Sequence, residues 1–287
     1  KSKRKNNMDN LAILLATYNS EKYLRQQLDS VLNQSYTDWK LYIRDDGSKD
    51  KTLEIVNEYI QRDDRLYLLH DEVKGRGAKN SFLWLLEQTD SSYTMFCDHD
   101  DVWFPEKIEV TLKQMLEMEQ IYPTLPVVVH TDLEVTDTEL KTISPSFWEY
   151  TRLNAIVNNM RIIPVNNVVT GCTMLINKKA KEVAFPVHPD ALMHDSWITL
   201  RVLSNKGIVS ALPRATIFYR QHGANTLGAI KYNNSLSHRL ANLKRSMALN
   251  IQIYRIANFT VGYNIFKYLK YKVLCLHAIM NYTRTNS

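Results

Sequence analysis

The chain has 287 residues, of which 45% are hydrophobic and 23% charged, and its net charge is +6. This composition supplies enough apolar side chain for a core and excludes a mainly disordered protein. The three cysteines are far apart and form no CxxC pair, which excludes a disulfide scaffold and a cysteine-rich zinc site and favours a reducing compartment.

Apolar runs and helical patterns alternate along the first 119 residues. Ser20 is placed to cap the first helix, which carries Leu24, Leu28, Val31 and Leu32. Alternation of this kind predicts an α/β nucleotide-binding layer with a parallel sheet. The predicted strands are Leu11–Ala16, Trp39–Arg44, Leu66–His70 and Tyr93–Cys97, and the later helices are a segment carrying Leu53, Val56 and Ile60, then Asn80–Glu87, then Pro105–Glu119.

The second half of the chain has a less regular pattern. We predict strands at Val127–Thr131, Val168–Ile176 and Ile208–Tyr219, and a short helix at Ser196–Leu203. From about Asn234 onward the chain is predicted to be helical and basic. No apolar run reaches the roughly 18–20 residues of a membrane span. The basic N-terminus lacks the apolar segment of a signal peptide. The chain does not begin with Met, which indicates a piece of a longer protein.

Polar clusters follow three of the four predicted parallel strands. They are Thr17–Asn19, Asp45–Ser48 and Asp98–Asp101. Ligands of open α/β sheets bind outside the carboxyl ends of the strands, so these clusters are expected to converge on one site.

The third cluster contains three carboxylates, Asp98, Asp100 and Asp101, within four residues. Their mutual repulsion is costly without a cation, and oxygen ligands favour Mg²⁺ or Mn²⁺, which would also bind substrate phosphates. The alternative is a solvated acidic turn, or a charge cluster at the N-terminus of the following helix.

The first two clusters also admit two interpretations. Asp45–Ser48 has the residues of an ordinary turn or helix cap. Tyr18 could pack in the protein, or it could stack on a nucleobase at the mouth of the strand. Their positions at neighbouring strand ends favour a binding site.

His194 and Asp195 stand at the start of a predicted helix, where Asp195 could cap the helix or act as a general base. The sequence has no Gly-x-Gly-x-x-Gly or Walker A pattern, which disfavours dinucleotide and P-loop chemistry. It also lacks the signatures of serine and cysteine nucleophiles.

Charge is distributed unevenly along the chain. Residues 196–287 contain 13 Lys and Arg but no Asp or Glu, whereas residues 1–195 contain 23 basic and 30 acidic residues. A basic tail of this length favours an anionic partner such as lipid headgroups, phosphates or nucleic acid. A solvated basic face is the alternative interpretation.

Residues 10–225 resemble the inverting family 2 glycosyltransferases of the GT-A fold. The motifs that carry the resemblance are ATYNSEKYLRQQLDSVLNQSYTDW, IRDDGSKDKT and FCDHDDVWFPEKI. MHDSW and YRQHGAN further resemble bacterial rhamnosyltransferases of cell-wall and capsular polysaccharide assembly. The resemblance implies a Rossmann-like mixed sheet flanked by helices. We expect an N-terminal tail over 1–9, the GT-A domain over 10–228, and a basic helical C-terminal region over 229–287.

The resemblance implies roles for individual residues. Asp195 matches the catalytic base, although the family often has Glu where this chain has His194. Asp100 is implied to coordinate Mn²⁺ or Mg²⁺, and His222 lies in a loop that could reach the diphosphate or the metal. The implied nucleotide-sugar-binding residues are Thr17, Tyr18, Asn19, Asp46, Arg76, Lys79, Asp98 and Asp101.

The implied reaction moves L-rhamnose from dTDP-L-rhamnose to a lipid-linked or oligosaccharide acceptor, and a UDP-sugar donor is the alternative. The QxxRW motif of processive members is absent, which favours the addition of one or a few sugars. The basic tail would hold the enzyme at the cytoplasmic face of the cell membrane without crossing it. No nucleic-acid motif is seen, so nucleic acid is not an expected partner.

Two other classes of function compete with this one. A nucleotidyltransferase shares acidic metal ligands on an α/β architecture, but it needs an early glycine-rich loop, and the first loop here is TYNSEKY. A non-catalytic binding or scaffold protein would use the basic tail alone.

Overall fold

The computed structural model describes residues 10–223 and 243–285. Within them, nine strands form one mixed sheet with the order β3-β2-β1-β4-β8-β6-β9-β5, and β7 pairs with β6. The strands are β1 (Leu11–Thr17), β2 (Trp39–Asp45), β3 (Leu66–Leu68), β4 (Tyr93–Cys97), β5 (Val102–Trp103), β6 (Val127–Thr136), β7 (Thr142–Ser144), β8 (Met174–Asn177) and β9 (Ile208–Arg220).

Helices cover both faces of the sheet. They are α1 (Leu24–Leu32), α2 (Thr52–Ile60), α3 (Gly77–Gln88), α4 (Lys107–Ile121), α5 (Phe147–Thr151), α6 (Lys178–Ala184), α7 (His194–Ser204), α8 (Leu243–Val261) and α9 (Ile265–Thr285). Three short 3₁₀ helices lie at Leu153–Ala155, Ile163–Val165 and Gly171–Thr173. None of the helices in the described ranges is both long enough and apolar enough to cross a bilayer.

β1 is the central strand of the parallel half of the sheet. It pairs in parallel with β2 on one side and with β4 on the other. Its side chains alternate between two cores: Ala12 and Leu14 pack with α3 and α7, whereas Ile13 and Leu15 pack with α1 and α4. This burial on both faces explains the unbroken apolar run LAILLA. The parallel pairing brings the carboxyl ends of β1, β2 and β4 to one edge of the sheet.

The C-terminal helices share a core with the rest of the chain. The apolar cluster that contains Trp197 of α7 also buries Ile256 of α8, Tyr263 just after α8, and Tyr268 and Cys275 of α9. Tyr263 donates a hydrogen bond from its hydroxyl to the carbonyl of Arg161 at 3.0 Å. These helices are therefore packed against the sheet domain through apolar contacts.

The structure corrects two predicted strands. Residues 168–173 are not part of a strand, because the side-chain amide of Asn167 bonds both backbone groups of Val169 and a 3₁₀ turn follows at Gly171–Thr173. Only Met174–Asn177 pairs in the sheet. β3 ends at Leu68 rather than His70, although the Leu69 N–H still donates to the Ile43 carbonyl of β2 at 2.8 Å.

The predicted cap of the first helix is also wrong. Tyr23 occupies the N-cap position of α1, and the Ser20 hydroxyl instead accepts a hydrogen bond from the backbone N–H of Tyr18 at 3.1 Å. The Ser20 carbonyl accepts bonds from the N–H groups of Tyr23 and Leu24. The predicted start of the basic helical region near Asn234 lies outside the described residues.

Candidate active site at the carboxyl edge of the sheet

The ends of β1 and β2 are tied together by side chains. The Thr17 hydroxyl donates to the Asp45 carboxylate at 3.0 Å. The other oxygen of Asp45 accepts the N–H groups of Gly47 and Ser48, which closes the turn. Asn19 adopts a left-handed conformation with φ 47° and bonds the backbone N–H of Lys49. Asp45 thus builds the turn, and the neighbouring Asp46 faces the next loop.

Asp46 is held by three donors. Its Oδ1 accepts Arg44 Nη1 at 2.7 Å and the Arg76 N–H at 2.9 Å, and its Oδ2 accepts the Gly77 N–H at 2.8 Å. Burial alone would raise the pKa of Asp46, but these hydrogen bonds outweigh it and lower the pKa below its usual value. The carboxylate stays charged, and the second lone pair of Oδ2 remains suited to one more donor.

Arg44 organises the loop opposite Asp46. Its guanidinium is buried and also binds Asp71 at 2.9 Å, the Ser81 hydroxyl at 2.7 Å and the Val73 carbonyl at 2.6 Å. Arg76 forms a further ion pair with Asp71. Arg76, a predicted nucleotide-sugar-binding residue, therefore contacts Asp46 through its backbone N–H, while its side chain binds Asp71.

Tyr18 and Lys79 are two further residues of the predicted nucleotide-sugar site. The Tyr18 ring is 53% exposed at the end of β1, so one face is open to a ligand. Lys79, on α3, donates from Nζ to the Ala191 carbonyl at 2.8 Å, which links α3 to the loop before α7.

A buried acidic cluster lies at the end of β4. Ligand atoms of Asp98, Asp101 and Cys172 lie within 4.8 Å of one another. Burial first, and then the charges of Asp100 and Asp195, raise the pKa of Asp98 to about 7. Burial likewise raises the pKa of Asp101 and of the Cys172 thiol well above their usual values. Cys172 is therefore a neutral thiol, which is a poor ligand for a hard cation.

Lys107 supplies a buried cation behind this cluster. Its side chain is fully buried, and its Nζ lies 4.7 Å from the centre of the Trp103 ring. Burial lowers the pKa of Lys107 to about 8, against the opposing influence of Cys172, Cys97 and Asp101. Its charge offsets part of the repulsion among the carboxylates.

Asp100 and His222 come together although they are 122 residues apart. His222 Nε2 lies 2.7 Å from Asp100 Oδ2, and the imidazole ring packs against Tyr23 with 5.1 Å between ring centres. Arg220 holds this loop in place. Its Nε donates to the Asp100 carbonyl at 2.9 Å, and its backbone N–H donates to Asp101 Oδ1 at 3.1 Å.

These donors fit a divalent cation. Asp100 and His222 offer a carboxylate oxygen and an imidazole nitrogen at adjacent positions. Asp101 Oδ2 is buried and, within the described part of the chain, makes no hydrogen bond. Oxygen and imidazole donors together suit Mn²⁺, and the carboxylates alone would accept Mg²⁺.

Asp195 approaches the cluster from α7. It lies in the first turn of the helix, and its Oδ2 accepts the Gly171 N–H at 3.1 Å. Burial raises the pKa of Asp195 to about 6, and the bonds from the Ser196 and Gly171 N–H groups oppose the rise. Met193 occupies the N-cap position, so Asp195 is not the residue that caps the helix.

His194, beside the predicted base, points into the core. Its ring is buried between Phe82 and Phe96, with ring centres 4.4 Å and 5.0 Å away. Both ring nitrogens make no hydrogen bond to any described residue, and burial lowers the pKa of His194 to about 3. The ring is therefore neutral. It packs against Gly171, where an added Cβ would lie 2.5 Å from His194 Nε2.

The sequence did not single out several residues that build this site. They are Arg44, Lys107, Gly171, Cys172 and Arg220. A basic residue followed by two acids in IRDDGS is a signal for Arg44 that sequence reasoning could have used. Lys107 and Arg220 lie within the motifs FCDHDDVWFPEKI and YRQHGAN, but their roles, like those of Gly171 and Cys172, depend on contacts between distant segments.

The family model "Glycosyl transferase family 2" matches residues 12–184. The chain belongs to glycosyl transferase family 2. Its fold is GT-A, and the curled mixed sheet agrees with the solved structures that it resembles. One of these is the mannosyltransferase PcManGT from Pyrobaculum calidifontis in complex with GDP-Man and Mn²⁺. Its TM-score is 0.56 and its identity 14%, and the alignment covers 96% of this chain and 82% of that one.

Two curated relatives differ in the donor that their names give. The dTDP-rhamnosyl transferase RfbG of Shigella flexneri is 24% identical, over 85% of this chain and 83% of its own length. The UDP-Glc:alpha-D-GlcNAc-diphosphoundecaprenol beta-1,3-glucosyltransferase WfgD of Escherichia coli is 35% identical, over 37% of this chain and 41% of its own length. The matched segment spans only 41–44% of the first three curated relatives.

Proposed function

We propose that this chain transfers a sugar from a nucleotide-sugar donor to an acceptor hydroxyl with inversion at the anomeric carbon, with Asp195 as the general base. The observation that carries this proposal is the position of Asp195. It is a buried carboxylate, oriented by the Gly171 N–H and close enough to Asp98 to raise the pKa of that carboxyl. A base with a pKa of about 6 is charged at neutral pH and can still accept a proton.

In this proposal Asp195 removes the proton of the acceptor hydroxyl. The oxygen then forms a bond to the anomeric carbon as the bond from that carbon to the nucleoside diphosphate breaks, on the opposite face of the sugar. A single displacement needs no protein nucleophile. The Gly171 N–H bonds Oδ2 and the Ser196 N–H bonds Oδ1, and each carboxylate oxygen has a second lone pair that can receive the proton.

Asp100 and His222 are proposed to hold Mn²⁺ or Mg²⁺. A divalent cation supplies positive charge to the diphosphate as negative charge develops on it. Arg220 supports both ligands, since it fixes the Asp100 backbone and lies two residues before His222. Asp98 and Asp101 are proposed to complete the part of the site that binds the nucleotide-sugar.

The remaining residues are proposed to bind the nucleotide. Tyr18 would stack on the base and Asp46 would accept its ring N–H. The exposed ring of Tyr18 and the remaining lone pair of Asp46 support these roles. Thr17 and Asn19 would line the same pocket, and Arg76 and Lys79 would lie at its edge.

We propose L-rhamnose from dTDP-L-rhamnose as the sugar and donor. The relative RfbG, which aligns over most of both chains, supports this choice. WfgD supports a UDP-sugar as the alternative. The name of WfgD also specifies an acceptor linked to diphosphoundecaprenol. A lipid-linked saccharide acceptor, reached at the cytoplasmic face of a membrane, is accordingly proposed for this chain.

The test begins with the melting temperature of the protein in dTDP, UDP, GDP or CDP, each with Mn²⁺ or EDTA. A ligand that binds only the folded protein raises this temperature. We expect a shift that requires Mn²⁺ and is largest for dTDP. A shift selective for UDP would replace rhamnose by a UDP-sugar, and the absence of any shift would overturn the nucleotide site.

Variants then assign the residues. Asp100→Asn is expected to abolish the Mn²⁺-dependent shift, and His222→Ala is expected to weaken Mn²⁺ about 10-fold or more, a typical effect of losing one supporting metal contact. Asp64→Asn, an exposed acid distant in sequence from the site residues, is the matched control and should behave as the parent. Transfer by folded Asp195→Asn at the parental rate, or release of inorganic diphosphate from a nucleoside triphosphate, would overturn the proposal.

A further inference from the structure

Helix α9 has a buried side and, next to it, an exposed apolar face. The buried side packs into the protein through Tyr268, Cys275 and Ile279, and Lys272 on this side donates to the Val165 carbonyl at 2.9 Å. Among the described side chains of α9, seven large apolar residues are exposed, and Leu274 stands apart from the other six, which are between 42% and 80% exposed. At about 100° per residue they fall within an arc of about 100° on the helix. These six residues, the outer face of α9, are Ile265, Phe266, Leu269, Val273, Leu276 and Met280.

The regular spacing distinguishes this face from scattered exposed residues. Phe266, Leu269, Val273, Leu276 and Met280 follow one another at intervals of three and four, as on a helix that lies on an apolar partner. The helix has 21 residues, and the exposed face runs along 16 of them. Contiguous apolar surface of this kind marks a site of interaction.

The residues around the outer face of α9 are basic, which indicates an anionic partner. Lys270 borders this face, about 40° beyond Phe266 around the helix, whereas Lys267 lies about 100° beyond Phe266. Residues 196–287 contain no carboxylate side chain. The 3₁₀ helices on which α9 packs, Leu153–Ala155 and Ile163–Val165, belong to a second segment without Asp or Glu, residues 150–181. The two neighbouring segments are therefore both basic.

We propose that the outer face of α9 inserts into the headgroup region of an anionic lipid bilayer, with Lys270 bound to a lipid phosphate. An interfacial helix uses an apolar face with basic residues at its border. A second copy of this chain fits less well, because pairing two such faces would bring lysines together without carboxylates. Nucleic acid would bind the lysines but leave the apolar residues exposed.

This proposal rests on the proposed function only in placing the acceptor at a membrane. Binding of the helix to lipid requires neither the donor nor the metal. The two proposals can therefore fail separately, and each has its own readout: vesicle binding for α9, and nucleotide binding or sugar transfer to a water-soluble acceptor for the active site.

The experiment is flotation of the full chain with vesicles of phosphatidylcholine alone or with added phosphatidylglycerol. We expect binding to the anionic vesicles, a decrease with added salt, and at least a 10-fold loss in the triple variant Phe266→Ser, Leu269→Ser, Val273→Ser. Lys267→Glu with Lys270→Glu should also reduce binding. Ile121→Ser, an exposed apolar residue on α4, is the matched control and should bind as the parent does.

A site-specific label reports insertion directly. The three native cysteines are buried free thiols, so Phe266→Cys can be labelled selectively with an environment-sensitive dye. The dye at position 266 should shift to shorter wavelength on anionic vesicles and be quenched by a quencher in the lipid phase. The same dye at Ile121→Cys should show neither effect.

Three results would overturn the proposal, provided that circular dichroism and a cooperative melting transition show that each variant is folded. The first is vesicle binding by the triple variant equal to that of the parent. The second is a parental dimer that the triple variant loses, without vesicle binding by either. The third is binding of duplex DNA, but not of vesicles, that depends on the two lysines.

Discussion

Asp195 is a buried carboxyl that must be ionised to act as the proposed general base. Burial raises its pKa to about 6, and the Gly171 N–H donates to one oxygen. At neutral pH the carboxylate is charged in surroundings that favour its neutral form. This single residue therefore determines a pH dependence of activity and, with the opposite sign, a pH dependence of stability.

The activity should fall in acid as Asp195 is protonated. Below pH 6, kcat/KM is expected to decrease about tenfold per pH unit, and above pH 6 it should level off, because only the charged base accepts a proton. Asp195→Asn should lower the rate by about 10²–10⁴-fold at every pH. Initial rates between pH 4.5 and 8 check both. A rate unaffected by pH between 5 and 6 would contradict the assignment of the base.

The stability of the Asp195→Asn variant should change in the opposite sense. The pKa of Asp195 is 3.8 in the unfolded chain and about 6 in the folded protein. The protonated carboxyl therefore contributes its full stabilisation below pH 3.8, and this contribution to the free energy of unfolding is lost as the pH rises through 6. At pH 7.5 the variant should be more stable than the parent by about 2–3 kcal/mol, and at pH 3.5 the two should be equal. Urea unfolding at both pH values measures the difference. A variant less stable than the parent at pH 7.5 would show that Asp195 is stabilised by contacts outweighing its burial.

At the scale of elements, the first turn of α7 depends on the 3₁₀ turn at Gly171–Thr173. The Gly171 N–H orients Asp195, and the backbone at Gly171 lies against the His194 ring, which Phe82 and Phe96 hold from the other side. The absence of a side chain at Gly171 allows this close approach. His194 therefore contributes to the position of the base through packing.

Gly171→Ala tests this contact. The new Cβ would lie 2.5 Å from His194 Nε2, and the ring is buried, so we expect a loss of stability of about 1–3 kcal/mol and a lower kcat. Gly223→Ala, where a Cβ would meet no atom of the described residues within 4 Å, is the control and should leave stability unchanged. In the His194→Ala background the cost of Gly171→Ala should be smaller, because the colliding ring is gone. Equal costs in both backgrounds would show that the strain arises elsewhere.

The elements that the sequence predicted well are those with a continuous local signal. β1, β2 and β4 are buried on both faces and have unbroken apolar runs, so their predicted bounds differ from the structure by at most one residue. The GT-A fold and the family were confirmed. The segment 168–173 has equally apolar residues, but the side chain of Asn167 and the 3₁₀ turn redirect it. Hydrogen bonds of this kind depend on the surrounding structure.

The candidate site, like the fold, was predictable from the sequence where it depends on local features. The polar ends of β1, β2 and β4 are local features, and the parallel pairing brings them together. His222 and Asp100 are 122 residues apart, and they were paired only through resemblance to the family. Arg220, Lys107 and Gly171 act through contacts that form only in the folded chain.

At the scale of the whole molecule, the C-terminal helices and the sheet domain form one body. Ile256 of α8 is buried in the core that also contains Trp197 of α7, and α9 packs on the 3₁₀ helix at Ile163–Val165. The boundary predicted near residue 228 therefore separates two segments that share apolar contacts. Shared cores of this kind unfold together when the contacts between segments are as strong as those within them.

Ile256→Ala should accordingly destabilise the entire protein. Truncating a fully packed isoleucine costs about 2–4 kcal/mol, and we expect one unfolding transition shifted to lower temperature, with tryptophan fluorescence and helical circular dichroism changing together. Ile251→Ala, on the same helix but half exposed, is the matched control and should change stability by less than about 0.5 kcal/mol. Two separate transitions, with only one moved by Ile256→Ala, would show that the C-terminal helices unfold independently and that the site is stable without them.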